Sequence, residues 1–181
     1  MKLAVFMERD GILNHVRQEQ GHPVSPLTLR DLRICRSAVP WLKELKQADF
    51  LLIATTNQPG ISQGFQSRRE LDLINEQLTQ VFELDDLLVC PHEEGDDCPC
   101  RKPRPGLIYE AAYKWGIDLD ASYVISDRWM DAEAARNTGC TSLIRQSPWC
   151  GRGHRDFLVP DLGTAVNKIL ALRELQTFVG A

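Results

Sequence analysis

Five short apolar runs, alternating with stretches of helical spacing, constrain this chain more than any other feature. LAVF (3–6), FLLIAT (50–55), DLLVC (86–90), SYVIS (122–126) and CTSLIR (140–145) have strand length and little polar alternation. Strands covered on both faces read this way. Between them lie SAVPWLKELKQAD (37–49), SRRELDLINEQLTQVFE (67–83), GLIYEAAYKWG (106–116) and MDAEAARNTG (130–139), and LGTAVNKILALREL (162–175) follows the last run. Val39, Leu42 and Leu45 share one helix face, with Ser37 placed as its N-cap. Ser67 and Glu70 have capping-box spacing, and Gly116 and Gly139 are placed to stop helices. The alternation predicts a mainly parallel sheet of five or six strands with helices on both faces, a three-layer Rossmann-like α/β fold. Residues 14–34 and 91–106 read as loops, and neither is large enough for a separate cap domain. No linker or repeat divides residues 1–181, so a single domain is expected.

The net charge of −4 gives no general attraction to nucleic acid or to an anionic membrane. The apolar stretches fall short of a membrane span, and MKLAVFMERDG lacks the apolar region of a signal peptide. A cytoplasmic monomer is expected. Six cysteines in a reducing compartment are then thiols or metal ligands rather than disulfides. Cys35, Cys140 and Cys150 read as unpaired. His15, His22 and His154 lie in polar stretches and read as solvated, with His22 within range of a ligand.

In folds of this kind ligands sit beyond the carboxyl ends of the strands, where the strand order reverses. Glu8 and Asp10 follow the first run, on one side of an extended stretch, with Gly11 allowing a sharp turn. They suit a hard cation, or a division of labour between nucleophile and general acid; a solvated strand end with Arg9 as salt partner accounts for them equally well. Thr56 and Asn57 follow the second run, as a phosphate contact or as a simple turn opener. RKPRPG (101–106) puts Arg101 and Lys102 where they neutralise a phosphoryl group, or where they are merely solvated. Asp127 follows the fourth run as a metal-ligand candidate, and Asp131 opens the next helix.

CPHEEGDDCPC is sharper. Cys90, His92, Cys98 and Cys100 form two i, i+2 pairs in one loop, a donor set for tetrahedral zinc with no position left for water, hence structural. Free thiols or a local disulfide are the alternative.

Taken in order, ERDGILN, TTNQPGISQG, CPHEEGDDCPCRKPRPG and VISDRWMDAEAA resemble the haloacid dehalogenase (HAD) superfamily of phosphatases. The narrower likeness is to the D-glycero-D-manno-heptose-1,7-bisphosphate and histidinol-phosphate phosphatase group, over roughly residues 3–175. The resemblance implies a HAD-type fold and Mg²⁺-dependent hydrolysis of a small phosphorylated metabolite, such as a sugar phosphate, through a carboxyl-phosphate intermediate. It implies Glu8 in the nucleophile's position and Asp10 as acid and base. Glu8, Asp127 and the backbone carbonyl of Asp10 would hold Mg²⁺. Thr56, the backbone near Asn57, and Lys102 would hold the phosphoryl oxygens, and the four Cys/His ligands would hold Zn²⁺. The chain departs from the pattern at Glu8, where the family has aspartate. It departs again at Ile12 for threonine, Ser126 for glycine, and Gln63 where the heptose enzymes commonly have arginine. The longer arm of Glu8 predicts a slowed enzyme, or a non-catalytic phosphate-binding or interaction protein on the same scaffold.

Overall fold

The computed structural model describes residues 1–179. In chain order the elements are β1 (Leu3–Glu8), the short strands β2 (Arg17–Glu19) and β3 (His22–Val24), α1 (Val39–Gln47), β4 (Phe50–Asn57), α2 (Arg68–Phe82), β5 (Asp86–Cys90), α3 (Gly106–Trp115), β6 (Tyr123–Ser126), α4 (Trp129–Thr138), β7 (Thr141–Arg145), β8 (Phe157–Val159) and α5 (Leu162–Val179). Six strands form one sheet in the order β5-β4-β1-β6-β7-β8, every neighbouring pair parallel. The order reverses at β1: the chain builds outward on one side through β4 and β5, then crosses to β6 on the other. The crevice at the carboxyl end of β1 is therefore where such a sheet receives a ligand.

Alternation along β1 divides the core. Val5 and Met7 join Leu42 and Leu45 of α1, Ile74 and Leu78 of α2 and Val166 and Ile169 of α5 on one face. Ala4 and Phe6 join Leu107, Ile108 and Ala111 of α3 and Ala134 and Ala135 of α4 on the other. Burying a side chain such as Ile74 or Leu78 is worth roughly 1.5–3 kcal/mol, so most helix stability comes from these faces rather than from propensity. No helix among the described residues is long and apolar enough to cross a membrane.

The structure corrects local expectations. Ser37 does not cap α1; it lies in a 3-10 turn (Arg36–Ala38), and α1 starts at Val39 with Pro40 in its first turn, where a missing N–H costs nothing. Ser67 does cap α2, its Oγ accepting from Glu70 N at 3.2 Å. The Glu70 carboxylate instead accepts from Leu29 N at 2.8 Å, tying the 14–34 segment to α2. That segment is not all loop: β2 and β3 pair as an antiparallel ribbon. Trp149 Nε1 donates to Gly21 O at 3.1 Å and Gln66 Nε2 to Leu27 O at 3.0 Å, which holds the segment in place. β8 is a sixth strand that no apolar run announced. The outer side of β5 lines a groove together with Arg68, Asp72, Glu76 and Lys114.

Candidate active site

β1 and β4 each run past their apolar cores, to Glu8 and Asn57, so the polar residues at their tips are held by the sheet. Glu8, Asp10, Thr56, Lys102, Asp127 and Asp131 are each no more than 2% exposed. Buried polar groups on this scale must satisfy one another.

The centre is Lys102. Its ammonium donates to Glu8 Oε2 at 2.5 Å, Asp131 Oδ1 at 2.6 Å and Thr55 O at 3.0 Å, which uses all three of its N–H groups. Burial acts to lower its pKa, but Asp131 and Glu8 overcome this and raise it, so the amine stays charged. Glu8 Oε1 accepts from the Thr56 hydroxyl at 3.0 Å and from Asp10 N at 3.1 Å. Asp131 Oδ2 accepts from the Ser126 hydroxyl at 2.9 Å. Asn57 does not face this cluster. Its amide pairs with the Lys102 backbone, accepting from Lys102 N and donating to Lys102 O, both at 3.1 Å, and so fixes the lysine's position. Arg101 donates to His92 O at 3.0 Å, bracing the cysteine loop, and lines a cavity of about 600 Å³ with Lys102, His22 and Trp129.

Asp10 sits in a cage. It accepts from Arg9 Nε at 3.0 Å and Nη2 at 3.2 Å, Asn14 Nδ2 at 2.9 Å, Ser25 Oγ at 2.6 Å and Gln58 Nε2 at 2.8 Å. Burial acts to raise its carboxyl, but Arg9, Ser25, Arg128 and Asn14 outweigh it and hold the pKa at about 2. The folded value lies below the ordinary 3.8, so the group contributes on the order of 2 kcal/mol of stability above pH ~4, lost as pH falls through about 2. Acid unfolding followed by circular dichroism should show a shallower limb in Asp10→Asn over that window than in the wild type.

Asp127 Oδ2 accepts from Arg145 Nη2 at 2.9 Å, while Oδ1 is buried with no hydrogen-bond partner. Arg128 Nη2 donates to the Asp10 carbonyl at 3.3 Å, and its Nε lies 3.6 Å from Asp127 Oδ1. Burial raises the Asp127 carboxyl, with Glu8 adding to the effect and Arg128 and Arg145 opposing it. A buried carboxylate oxygen without a donor, beside a carbonyl and a second carboxylate, is the donor chemistry a hard divalent cation takes. Gly11 has φ +99°, and a Cβ there would lie 2.5 Å from Asp127 Oδ2. Gly11→Ala should therefore cost about 1–3 kcal/mol in urea unfolding, from backbone strain plus displacement of Asp127.

The cysteine loop closes on itself. Cys90 Sγ lies 3.6 Å from both His92 Nδ1 and Cys98 Sγ, Cys100 Sγ lies 3.3 Å from His92 Nδ1 and 3.5 Å from Cys98 Sγ, and all four ligand atoms fall within 4.8 Å of one another. Metal–ligand bonds of about 2.0–2.3 Å in a tetrahedron give edges of roughly 3.3–3.8 Å, so the spacing fits a single ion. Gly106 N donates to Pro99 O at 3.1 Å and ties the loop to the start of α3.

Sequence reasoning alone missed Asn14, Ser25, Gln58, Arg128 and Arg145. Gln58 adjoins the Thr-Asn pair and Arg128 adjoins Asp127, so position was a usable signal for both. Arg145 ends the fifth apolar run and β7, so its place at a strand tip was a usable signal too; Asn14 and Ser25 come from segments with no periodicity at the site.

A family model for HAD-hydrolase-like proteins matches residues 99–147. The chain is 31% identical over 157 residues to the D-glycero-beta-D-manno-heptose-1,7-bisphosphate 7-phosphatase of Helicobacter pylori (strain J99), covering 80% of this chain and 84% of that one. It is 31% identical over 156 residues to the protein of the same name from Escherichia coli (strain K12), covering 78% of each. The structure superposes on that of the D,D-heptose 1,7-bisphosphate phosphatase of B. bronchiseptica, complexed with magnesium and phosphate, with a TM-score of 0.79 and 26% identity over 94% of this chain and 99% of that one. The chain belongs to the heptose-bisphosphate phosphatase family of HAD-like hydrolases.

Proposed function

We propose that this protein is a phosphomonoesterase acting on a small phosphorylated sugar, such as a heptose bisphosphate, through a carboxyl-phosphate intermediate. The observation that carries the reading is Lys102, its buried ammonium set between Glu8 and Asp131 with the Thr56 hydroxyl on the far oxygen of Glu8. Phosphoryl transfer needs positioning and neutralisation of spread negative charge, and this cluster offers both. Glu8 takes the nucleophile's role and Asp10 that of acid and base. Thr56 and Lys102 hold the phosphoryl oxygens, Asn57 aligns Lys102, and Arg101 faces the rest of the substrate. Mg²⁺, held by Glu8, Asp127 and the Asp10 carbonyl, would supply further neutralisation when bound. Zn²⁺ on Cys90, His92, Cys98 and Cys100 is structural. The protein works as a single-domain monomer in the cytoplasm.

A second reading, a catalytically impaired phosphate-binding protein, is favoured by two observations. Both Glu8 oxygens are engaged, and five donors hold Asp10 in its ionised form. A panel of phosphorylated metabolites assayed with Mg²⁺ separates the two. Wild type should turn over slowly and Glu8→Asp at least about tenfold faster, since a misplacement of about 1 Å can cost roughly a hundredfold. Folded Glu8→Asp that releases phosphate from no sugar phosphate would reject the enzymatic reading.

A further inference from the structure

The hydrogen-bond count around Glu8 leaves no room for a second anion. Lys102 has three N–H groups, and they go to Glu8, Asp131 and the Thr55 carbonyl. Thr56 has one hydroxyl proton, and it goes to Glu8. Asp10 N also points at Glu8. These three donors come from the tip of β1, the tip of β4 and the end of the cysteine loop, and they converge on one carboxylate that is 2% exposed. The neighbouring 600 Å³ cavity reaches Lys102 but is not lined by Glu8. The extra methylene relative to aspartate carries the carboxylate outward, toward the donors a phosphoryl group would use.

We propose that the Glu8 carboxylate itself fills the oxyanion seat of this pocket, so that the seat takes a tetrahedral oxyanion, inorganic phosphate or a phosphate monoester, at least about tenfold more weakly than when that carboxylate is shortened or removed. The proposal rests on reading Thr56 and Lys102 as the phosphoryl-holding groups. A third anion cannot join Glu8 and Asp131 at this buried ammonium: in a poorly screened interior the added repulsion is large, and with all three N–H groups engaged it finds no donor left. Removing Glu8 frees one ammonium proton, one hydroxyl proton and one amide proton around a single vacated volume, a tripod for three oxygens of a tetrahedral anion. Lys102 then loses one of its two carboxylate partners, and phosphate restores the charge balance.

Titration with inorganic phosphate, read by calorimetry and by the shift in melting temperature, tests this on the full chain. Glu8→Ala should bind phosphate at least about tenfold more tightly than wild type, the scale of one charge-assisted hydrogen bond. Adding Lys102→Met to Glu8→Ala should abolish the gain. A folded Glu8→Ala with no gain overturns the proposal, and so does a gain that survives Lys102→Met. If Glu8→Ala does not fold, Glu8→Asp, which draws the carboxylate back by one methylene, carries the same titration with the same outcomes. Turnover by Glu8→Asp is a separate readout. Activity in Glu8→Asp with no phosphate gain in Glu8→Ala sinks the occupied seat and leaves the phosphatase; phosphate gain with an inert Glu8→Asp sinks the phosphatase and supports the seat.

Discussion

Lys102→Met is expected to lower stability by about 3–5 kcal/mol near neutral pH, the cost of breaking a buried ion pair from one side. The substitution keeps the side chain's bulk and removes only the ammonium, so Glu8 and Asp131, each 2% exposed or less, are left facing each other without a cation between them. Asp131 already has a carboxyl raised by burial, with Lys102 pulling it down and Glu8 pushing it up. Without Lys102 the folded pair holds a proton that the unfolded chain releases. A folded pKa raised above the unfolded one makes the charged form the costly one, so the penalty is largest at high pH and recedes as pH falls. Urea unfolding should therefore separate variant from wild type widely at about pH 8 and narrowly at about pH 5. Equal separation at both would mean that the lysine's charge is not what the cluster depends on.

Metal removal is expected to have the next largest effect. Protein purified without chelator should hold one zinc per chain by elemental analysis, and Cys100→Ser should lose it. The loop around the cluster has little apolar side-chain content, so ligation, not burial, orders it. Cys100 stands two residues before Lys102, and Arg101 between them donates to His92 O. Freed of its ion, the loop should release Lys102 along with itself. Hydrogen exchange should rise across 91–104 while β1, β4 and β6 stay protected, and the melting point should fall by more than about 5 °C, at about 2–4 °C per kcal/mol for a chain of this size. A cluster that keeps its exchange pattern after chelation would have another source of order.

The sheet and its helices were legible because burial on both faces imposes long apolar runs and regular helical spacing. Glu8, Asp10, Thr56 and Asp127 were legible because they stand at the ends of such runs, and Lys102 because it lies in the cationic stretch that follows the cysteine loop; the structure brings these five together at the carboxyl end of β1. The ribbon of β2 and β3 was not, since Arg17, Gln18 and Glu19 are exposed and carry no apolar alternation. β8 is three residues long, too short for periodicity to register. The cage around Asp10 was hidden for a different reason. Ser25, Asn14 and Gln58 reach it from irregular segments, and hydrogen-bond geometry between such segments is a tertiary property with no local sequence mark. At Asn57 the sequence pointed to a backbone contact for phosphate; that its side-chain amide pairs with the Lys102 backbone was not legible, because the partner lies in a distant loop.

The groove beside β5 bears on how the protein behaves when crowded. The sheet ends there in an unpaired row of backbone groups, the usual template for recruiting a foreign strand. Arg68, Asp72, Glu76 and Lys114 stand along that row, and Lys114 and Trp115 both bind Asp86 at the strand's first residue. An intruding chain would have to strip these charges of water before gaining a single ladder bond. The opposite margin, β8, offers only three residues. Both flanks are thus poor nuclei for fibril growth, and concentrated solutions should resist strand-mediated clumping.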